Sequence, residues 1–517
     1  MWLEDRSHEA LWLVDLDTRI EPCVNRAQVV PMRLFRLLPL LFGAFAVLTP
    51  ARSEGAPQNN ILVSQDSIDD HFADASGAYS YAPSVSSDGN YVAFQSLTTD
   101  RRDGDKNTVE DVFRRDVAKS ATLIVSLSND GKQGNNRSYA PDITADGATV
   151  VFESLASNLV PGDNNNTSDI FLRDLTAQTT TRISVAGDGG DANGASFRPA
   201  MSGDGAFIAF CSRATNLVQT GSLRAASAFL FERATGKITR IPIDAPPDPT
   251  NGCQRVAIDS DGRVIAVANL SGELSNVYTY DRESGTTARL TTTADSSSGI
   301  SGLAISGDGQ TVAFDSTATN LVSTDTNRSR DVFVETLGNR ETTRVSVRSD
   351  GSQLPADSGT SGVAISGDGR FVVFGSAADE VIPGDSNGLE DVFRHELASG
   401  QTTIVSVTPG GQPANNSSYA PDINGDGSAV AFASLASTII VGDINREPDV
   451  FERNTNFPDR DGESAPEETG APRDDATVLS VSEDGKPHTL EYAGGGIAAA
   501  VIALVAAWFL LGRRGRA

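Results

Sequence analysis

Short apolar runs recur along this chain, each placed behind the same turn. The turn is Asp-Gly, at Asp88-Gly89, Asp146-Gly147, Asp204-Gly205, Asp261-Gly262, Asp308-Gly309, Asp368-Gly369 and Asp426-Gly427. The steps between them are 58, 58, 57, 47, 60 and 58 residues. Behind each turn comes YVAF, TVVF, FIAF, VIAV, TVAF, FVVF or AVAF. Before most turns stands a segment such as YAPSVS, YAPDIT or GLAIS. About 20 residues after the turn a third segment follows, as in DVFRRD, DIFLRD or DVFVET, and then a fourth, as in TLIVSLS or TRISVAG. Asp-Gly between alternating apolar residues is a strong hairpin signal. Each repeat therefore predicts four short antiparallel strands.

Side chains alternate across a strand, so in V-A-F the Val and Phe share one face and Ala takes the other. Both faces are apolar, one bulky and one small. Such a sheet needs a similar sheet on each side, and stacking around a closed ring supplies both. The fold expected is all-β: a seven-bladed β-propeller spanning residues 60–453. Closure is also predicted. Ile61 to Ser64, in NILVSQD, reads as a fourth strand without its own blade, and the last repeat lacks one. A rival clasp is ATVLSVSED, residues 476–484; the N-terminal segment is preferred, because a second strand would have to displace it.

These repeats resemble the TolB-type propeller family, with its strand, S-x-DG turn and D-I/V-F/Y third strand. The matching pieces are ITADGATVVFES with DIFLRD, and ISGDGRFVVFGS with DVFRHE. The resemblance implies a WD-like repeat fold, a periplasmic setting and work by binding other envelope proteins.

The two ends carry membrane signals. Residues 32–53, MRLFRLLPLLFGAFAVLTPARS, place Arg33 and Arg36 before an apolar stretch and end on a small-x-small site, which is the secretory pattern. Translation is expected to start at Met32, with residues 1–31 a mis-called extension that includes Cys23. Residues 493–512 hold no charge and suffice to cross a bilayer. The tail 513–517, with Arg513, Arg514 and Arg516, is expected on the cytoplasmic side. The Gly494–Gly496 run also resembles GlyGly-type sorting signals that are cleaved, so a permanent anchor and a cleaved one both stand. Residues 454–492, rich in Pro, Glu, Asp and Gly, read as a linker. The propeller is thus expected on the periplasmic or cell-surface side, anchored by a single C-terminal helix.

Charge narrows the partners. The 517 residues carry 41 Lys and Arg against 68 Asp and Glu, a net charge of −27, which argues against nucleic acid. Protein or glycan partners in the envelope, and the membrane itself, remain.

Five repeats add D-x-N-x-x-x-D before the third strand: Asp105, Asn107, Asp111; Asp163, Asn165, Asp169; Asp325, Asn327, Asp331; Asp385, Asn387, Asp391; Asp443, Asn445, Asp449. Oxygen side chains spaced this way converge in a tight loop and suit Ca²⁺. The same residues also brace turns by bonding their own backbone; both readings stand. The third repeat lacks D-x-N and places Ala228 at the downstream Asp, while the fourth has Asn276 there. Loss of both halves together implies that they act together.

Cys211, ending the second strand of blade three, and Cys253, beginning the first strand of blade four, sit at similar heights in neighbouring blades and are candidates for a disulfide. His71, His395 and His488 lie far apart and read as solvated surface residues. The S-x-D-G boxes lack the Trp of the sialidase box. The function expected is a non-catalytic, membrane-anchored scaffold that binds protein or glycan through its face loops and the YAPD-type channel mouth. The alternative is a polysaccharide-directed hydrolase or lyase using dispersed residues at that mouth.

Overall fold

The computed structural model describes residues 60–64, 79–97, 105–219, 225–243, 252–271, 274–291, 300–379, 381–382, 385, 387–441, 443 and 447–456. The extension, signal segment, linker, anchor and basic tail lie outside these residues, as do His71, His488, Asn445 and the rival clasp at 476–484.

The described strands form seven antiparallel sheets of four, six of them in chain order. Blade one comprises β2 (Ser80–Val85), β3 (Tyr91–Ser96), β4 (Asp111–Asp116) and β5 (Ala121–Ile124). Blades two to six span Ser138–Arg182, Ser196–Arg240, Gly252–Arg289, Leu303–Arg344 and Ser358–Ile404. Blade seven runs from Ser418 to Asn454 and takes its outermost strand from β1 (Asn60–Leu62). In that clasp Asn60, Ile61 and Leu62 pair with Arg453, Glu452 and Phe451. Asn60 Nδ2 donates to the carbonyls of Val407 and Ile439, and Arg453 Nη1 donates to Asn60 Oδ1. One polar side chain thereby ties the N-terminal strand to blades six and seven.

The two-sided pattern explains the packing between blades. The bulky face of blade one, with Val92, Phe94 and Phe113, packs on Ala431 and Val450 of blade seven. Its small face, with Ala93 and Val112, receives Val150, Phe152 and Phe171 of blade two. Large side chains of each blade thus fill the space over the Ala of the blade before it. Paired Phe rings mark six blades, at centroid distances from 5.7 Å for Phe94–Phe113 to 6.1 Å for Phe374–Phe393. Burying one such ring contributes about 1.5–3 kcal/mol. In blade four Val267 faces Tyr278 instead.

The Asp-Gly turn differs from a two-residue hairpin, in which both central residues need positive φ. Here only the glycine has it, at 67° to 77° in all seven turns. The remaining geometry is fixed by side chains. Ser86 Oγ donates to Asp88 Oδ1 and accepts from the Tyr91 N–H, and Asp88 Oδ1 also accepts from the Asn90 N–H. This bonding is why the box reads S-x-D-G.

The x of that box forms a collar around the channel. The N–H of Ala145 donates to Gly203 O, Gly203 to Ser260 O, Ser260 to Gly307 O, and Gly307 to Gly367 O. Asp368 N–H donates to Gly425 O, and Gly425 to Ser87 O of blade one. These six blade junctions are bridged at 2.8–3.1 Å. A Cβ on Gly425 would stand 2.3 Å from Ser87 Oγ and 2.9 Å from its carbonyl, so the position requires a residue without one.

Candidate functional site: the channel mouth and the acidic loops

The first strand of every blade lines the central channel, a cavity of about 370 Å³. Most of its wall is Pro, Ser, Ala, Gly, Val and Ile. Three charged residues reach it: Asp142, Asp422 and Arg255. The two carboxylates link neighbouring blades. Asp142 Oδ2 accepts from Met201 N–H at 2.7 Å and its Oδ1 from Ser84 Oγ at 3.0 Å, joining blades one, two and three. Asp422 Oδ2 accepts from Val85 N–H at 2.8 Å, joining blade seven to blade one. Both are half-buried in the channel wall. Desolvation pushes the Asp422 carboxyl up to about 7, with the charge of Asp142 adding to it, and raises Asp142 as well. Desolvation also lowers Arg255, to about 10, with Arg198 contributing, and its Nε has no hydrogen-bond partner.

The mouth is built by the YAP segments. In blades one, two, three and seven the first strand bulges between Tyr81 and Ser84, Tyr139 and Asp142, Phe197 and Ala200, and Tyr419 and Asp422. The residue before Pro has φ near +50° in each: Ala82, Ala140, Arg198 and Ala420. A non-glycine residue at such a φ carries strain of order 1–3 kcal/mol. Around the ring these four blades are consecutive. Their half-buried aromatic residues Tyr81, Tyr139, Phe197 and Tyr419 therefore form one arc. Carboxylates fix it: Tyr81 Oη donates to Glu110 Oε1 at 2.5 Å and Tyr139 Oη to Glu153 Oε1 at 2.7 Å. Glu153 Oε2 also accepts from Arg198 N–H, holding the bulge of the next blade. The exposed Arg137 guanidinium lies over the Tyr139 ring, 5.2 Å from its centroid.

The acidic loops lie at the same end of the blades, where the third strands begin. In blades one, two and six their two halves are joined directly, which accounts for their joint loss in blades three and four. Asn107 Nδ2 donates to Asp111 Oδ2 at 2.7 Å, Asn165 to Asp169 at 2.8 Å, and Asn387 to Asp391 at 2.8 Å. The other oxygen of each downstream Asp accepts a serine two residues beyond the fourth strand: Ser126 to Asp111, Ser184 to Asp169, Ser346 to Asp331, Ser406 to Asp391, and Ser64 to Asp449. In blade five Asn327 donates instead to Leu354 O, and Gln353 Nε2 reaches both Asp325 and Asp331. Each Asn also accepts an N–H two residues on, as Asn107 Oδ1 does from Val109. The loops are thus turns braced by their own side chains. Burial pushes Asp111, Asp163 and Asp385 up to about 6, with the neighbouring carboxylate of each loop adding to it. Among the described residues no group of three or more His, Cys, Asp and Glu side chains is placed to hold a metal.

Three sequence assignments come out differently or gain a partner. The register pairs Ser212 with Ser227, as Ser96 pairs with Asp111, so the missing Asp of blade three corresponds to Ser227 and not Ala228. Asn276 does hold the equivalent place in blade four, opposite Asn269. His395 is not a surface residue: it is 4% exposed, its Nδ1 lies 2.9 Å from Thr402 Oγ1, and burial lowers its pKa. It occupies the place where Arg115 bonds Thr122 and Arg173 bonds Thr180, a bridge between third and fourth strands that is covered by the adjacent blade. The sequence hid this because both faces of a propeller strand are buried. Cys211 and Cys253 are joined, with Cα atoms 5.6 Å apart.

With the ring and its mouth defined, the described residues form a seven-bladed β-propeller. Similar solved structures include an oligogalacturonate lyase from Vibrio parahaemolyticus, at TM-score 0.48 and 11% identity, covering 74% of this chain and 92% of that one. TolB from Acinetobacter baumannii is another, at TM-score 0.35 and 15% identity, covering 64% of this chain and 63% of that one. The propeller domain of the Trilobed protease from Pyrococcus furiosus, of open velcro topology, gives 0.46 and 11%, covering 74% and 99%. This chain spans just under two thirds of that TolB. No protein-family model matches the chain, and no curated protein matches it.

Proposed function

We propose that this protein is an exported propeller, anchored in the membrane by its C-terminal segment, that binds an envelope protein or glycan at the channel mouth without catalysis. The carrying observation is the arc of Tyr81, Tyr139, Phe197 and Tyr419 on proline-fixed bulges. Half-buried aromatic residues on a rigid frame bind at low cost in conformational entropy. The channel carboxylates support the same reading, since the backbone of the next blade already occupies them. A free general acid or base would need an unengaged proton site within reach of a substrate. Replacing Tyr139 and Phe197 by Ala should abolish retention of the envelope ligand captured by the full-length protein, with the thermal unfolding midpoint measured alongside. Equal capture by the folded variant would refute the mouth as the site.

The alternative, a polysaccharide-directed hydrolase or lyase, is favoured by one observation: Asp142, Asp422 and the incompletely bonded Arg255 share one pore. Incubation with acidic and neutral polysaccharides, followed by end-group analysis, separates the two. Depolymerisation that is lost in Asp422→Asn would establish the alternative.

A further inference from the structure

The acidic loops are not equivalent, and a residue 13 positions downstream divides them. On the fourth strand, the residue opposite the Phe of the D-I/V-F third strand is Arg182 in blade two and Arg344 in blade five. In blades one and six it is Ile124 and Ile404, both buried. In blade two the guanidinium sits between the two loop carboxylates. Arg182 Nη1 lies 2.9 Å from Asp163 Oδ1 and 3.4 Å from Asp169 Oδ2, and Nη2 lies 2.8 Å from Asp191 Oδ1. Arg344 stands 3.8 Å from both Asp325 and Asp331. The paired carboxylates of these loops thus converge on a point that a cationic group fills.

Blades one and six keep the carboxylates and lack the guanidinium. Asp105 is 1% exposed and Asp385 2% exposed. Asp105 Oδ2 and Asp385 Oδ1 are both buried without a hydrogen-bond partner. In blade one the neutral Gln133 side chain hydrogen-bonds the Asp105 carboxyl but brings no positive charge, and in blade six the corresponding bridge position is Pro413. A buried carboxylate pair with an unmatched oxygen is costly unless a cation compensates it. We infer that the loops of blades one and six each bind a hard divalent cation of the Ca²⁺ type, at the place that Arg182 and Arg344 fill from within the chain in blades two and five.

The donors fit that ion. Asp105 with Asp111, and Asp385 with Asp391, supply two carboxylates each, and Ca²⁺ completes its shell with carbonyls and water. The Asn bond does not obstruct it: Asp169 Oδ2 accepts Asn165 and meets Arg182 at once, so one oxygen serves both. The inference is independent of what the channel mouth binds.

The test uses the full-length protein, stripped with chelator and titrated with CaCl₂ by calorimetry, with thermal unfolding in Ca²⁺, Mg²⁺ and EDTA. At least two Ca²⁺ ions should bind, with a rise in unfolding midpoint of several degrees that NaCl of equal ionic strength does not reproduce. Installing the internal cation, as Ile124→Arg with Ile404→Arg, should lower the stoichiometry by two ions. Asp385→Asn should remove one. Arg182→Leu should add one. The inference fails if the wild-type protein shows no calcium-dependent heat or midpoint, or if the double arginine variant binds as many ions as wild type.

Discussion

Blades two and four meet the same demand by different means. Both must fix the connection between second and third strands at the loop end. Blade two uses a long loop in which Asp163, Asn165, Asp169, Ser184 and Arg182 form one network of buried charges and hydrogen bonds. Blade four dispenses with that loop. Its second and third strands extend to eight residues each, Val264–Ser271 and Leu274–Asp281, and a disulfide from Cys253 ties its first strand to Cys211 of blade three. The short repeat step of 47 residues before Asp308 is the trace of this in the sequence. A polar network needs a loop long enough to bring its groups together, whereas a direct hairpin and a covalent bond do not. A propeller thus tolerates either solution, because the apolar packing between blades is the same in both.

Removing that shared packing should have the largest effect. Phe171→Ala, in the stacked pair with Phe152, should cost about 3–5 kcal/mol by chemical denaturation, and should expose any blade whose core is weaker. Reducing the disulfide, or replacing Cys211 and Cys253 by Ser, comes next. The bond closes a sequence separation of 42 residues, and its loss should cost about 2–4 kcal/mol. If blade four depends on the covalent tie as blade two depends on its network, Asn165→Ala should be comparable but smaller. Removing the shorter of the two bonds to the buried Asp169 Oδ2, and leaving it only Arg182, should cost about 1–3 kcal/mol. A smaller effect is expected from pH. Burial raises Asp422 and Glu452 to about 7 in the folded protein, well above the ordinary carboxyl range. Between roughly pH 4 and 7 the folded state therefore holds more protons than the unfolded one, so stability is present at the lower end and is lost as pH rises through 7. The unfolding midpoint should be several degrees higher at pH 5.5 than at pH 8. Glu452→Gln should flatten that slope, and an unchanged slope would remove Glu452 from the account.

Much of the ring was legible because the repeat is written in residues that each do one local job. The Ser and Asp of S-x-D-G fix a turn within six residues, and its Gly takes the positive φ. Val, Ala and Phe at positions one, two and three of a strand assign faces without reference to anything distant. The N-terminal clasp was legible for the same reason, since Leu62 to Ser64 reproduce the fourth-strand pattern whose Ser bonds the third-strand Asp. The small residue at x carried a further signal, the collar around the channel. It becomes apparent only when seven neighbouring turns meet.

The amino-acid sequence alone determined the number of blades, their strand order and the edge at which the ring closes, because those follow from alternation and spacing within about 60 residues. Tertiary structure decided which charges are matched. Whether an acidic loop meets an arginine, a glutamine or an isoleucine depends on how the third and fourth strands pair. Whether His395 reaches water depends on the adjacent blade that covers it. Burial is a property of neighbours brought together by folding, and it is burial that turns a pair of aspartates from a solvated turn into a demand for a cation.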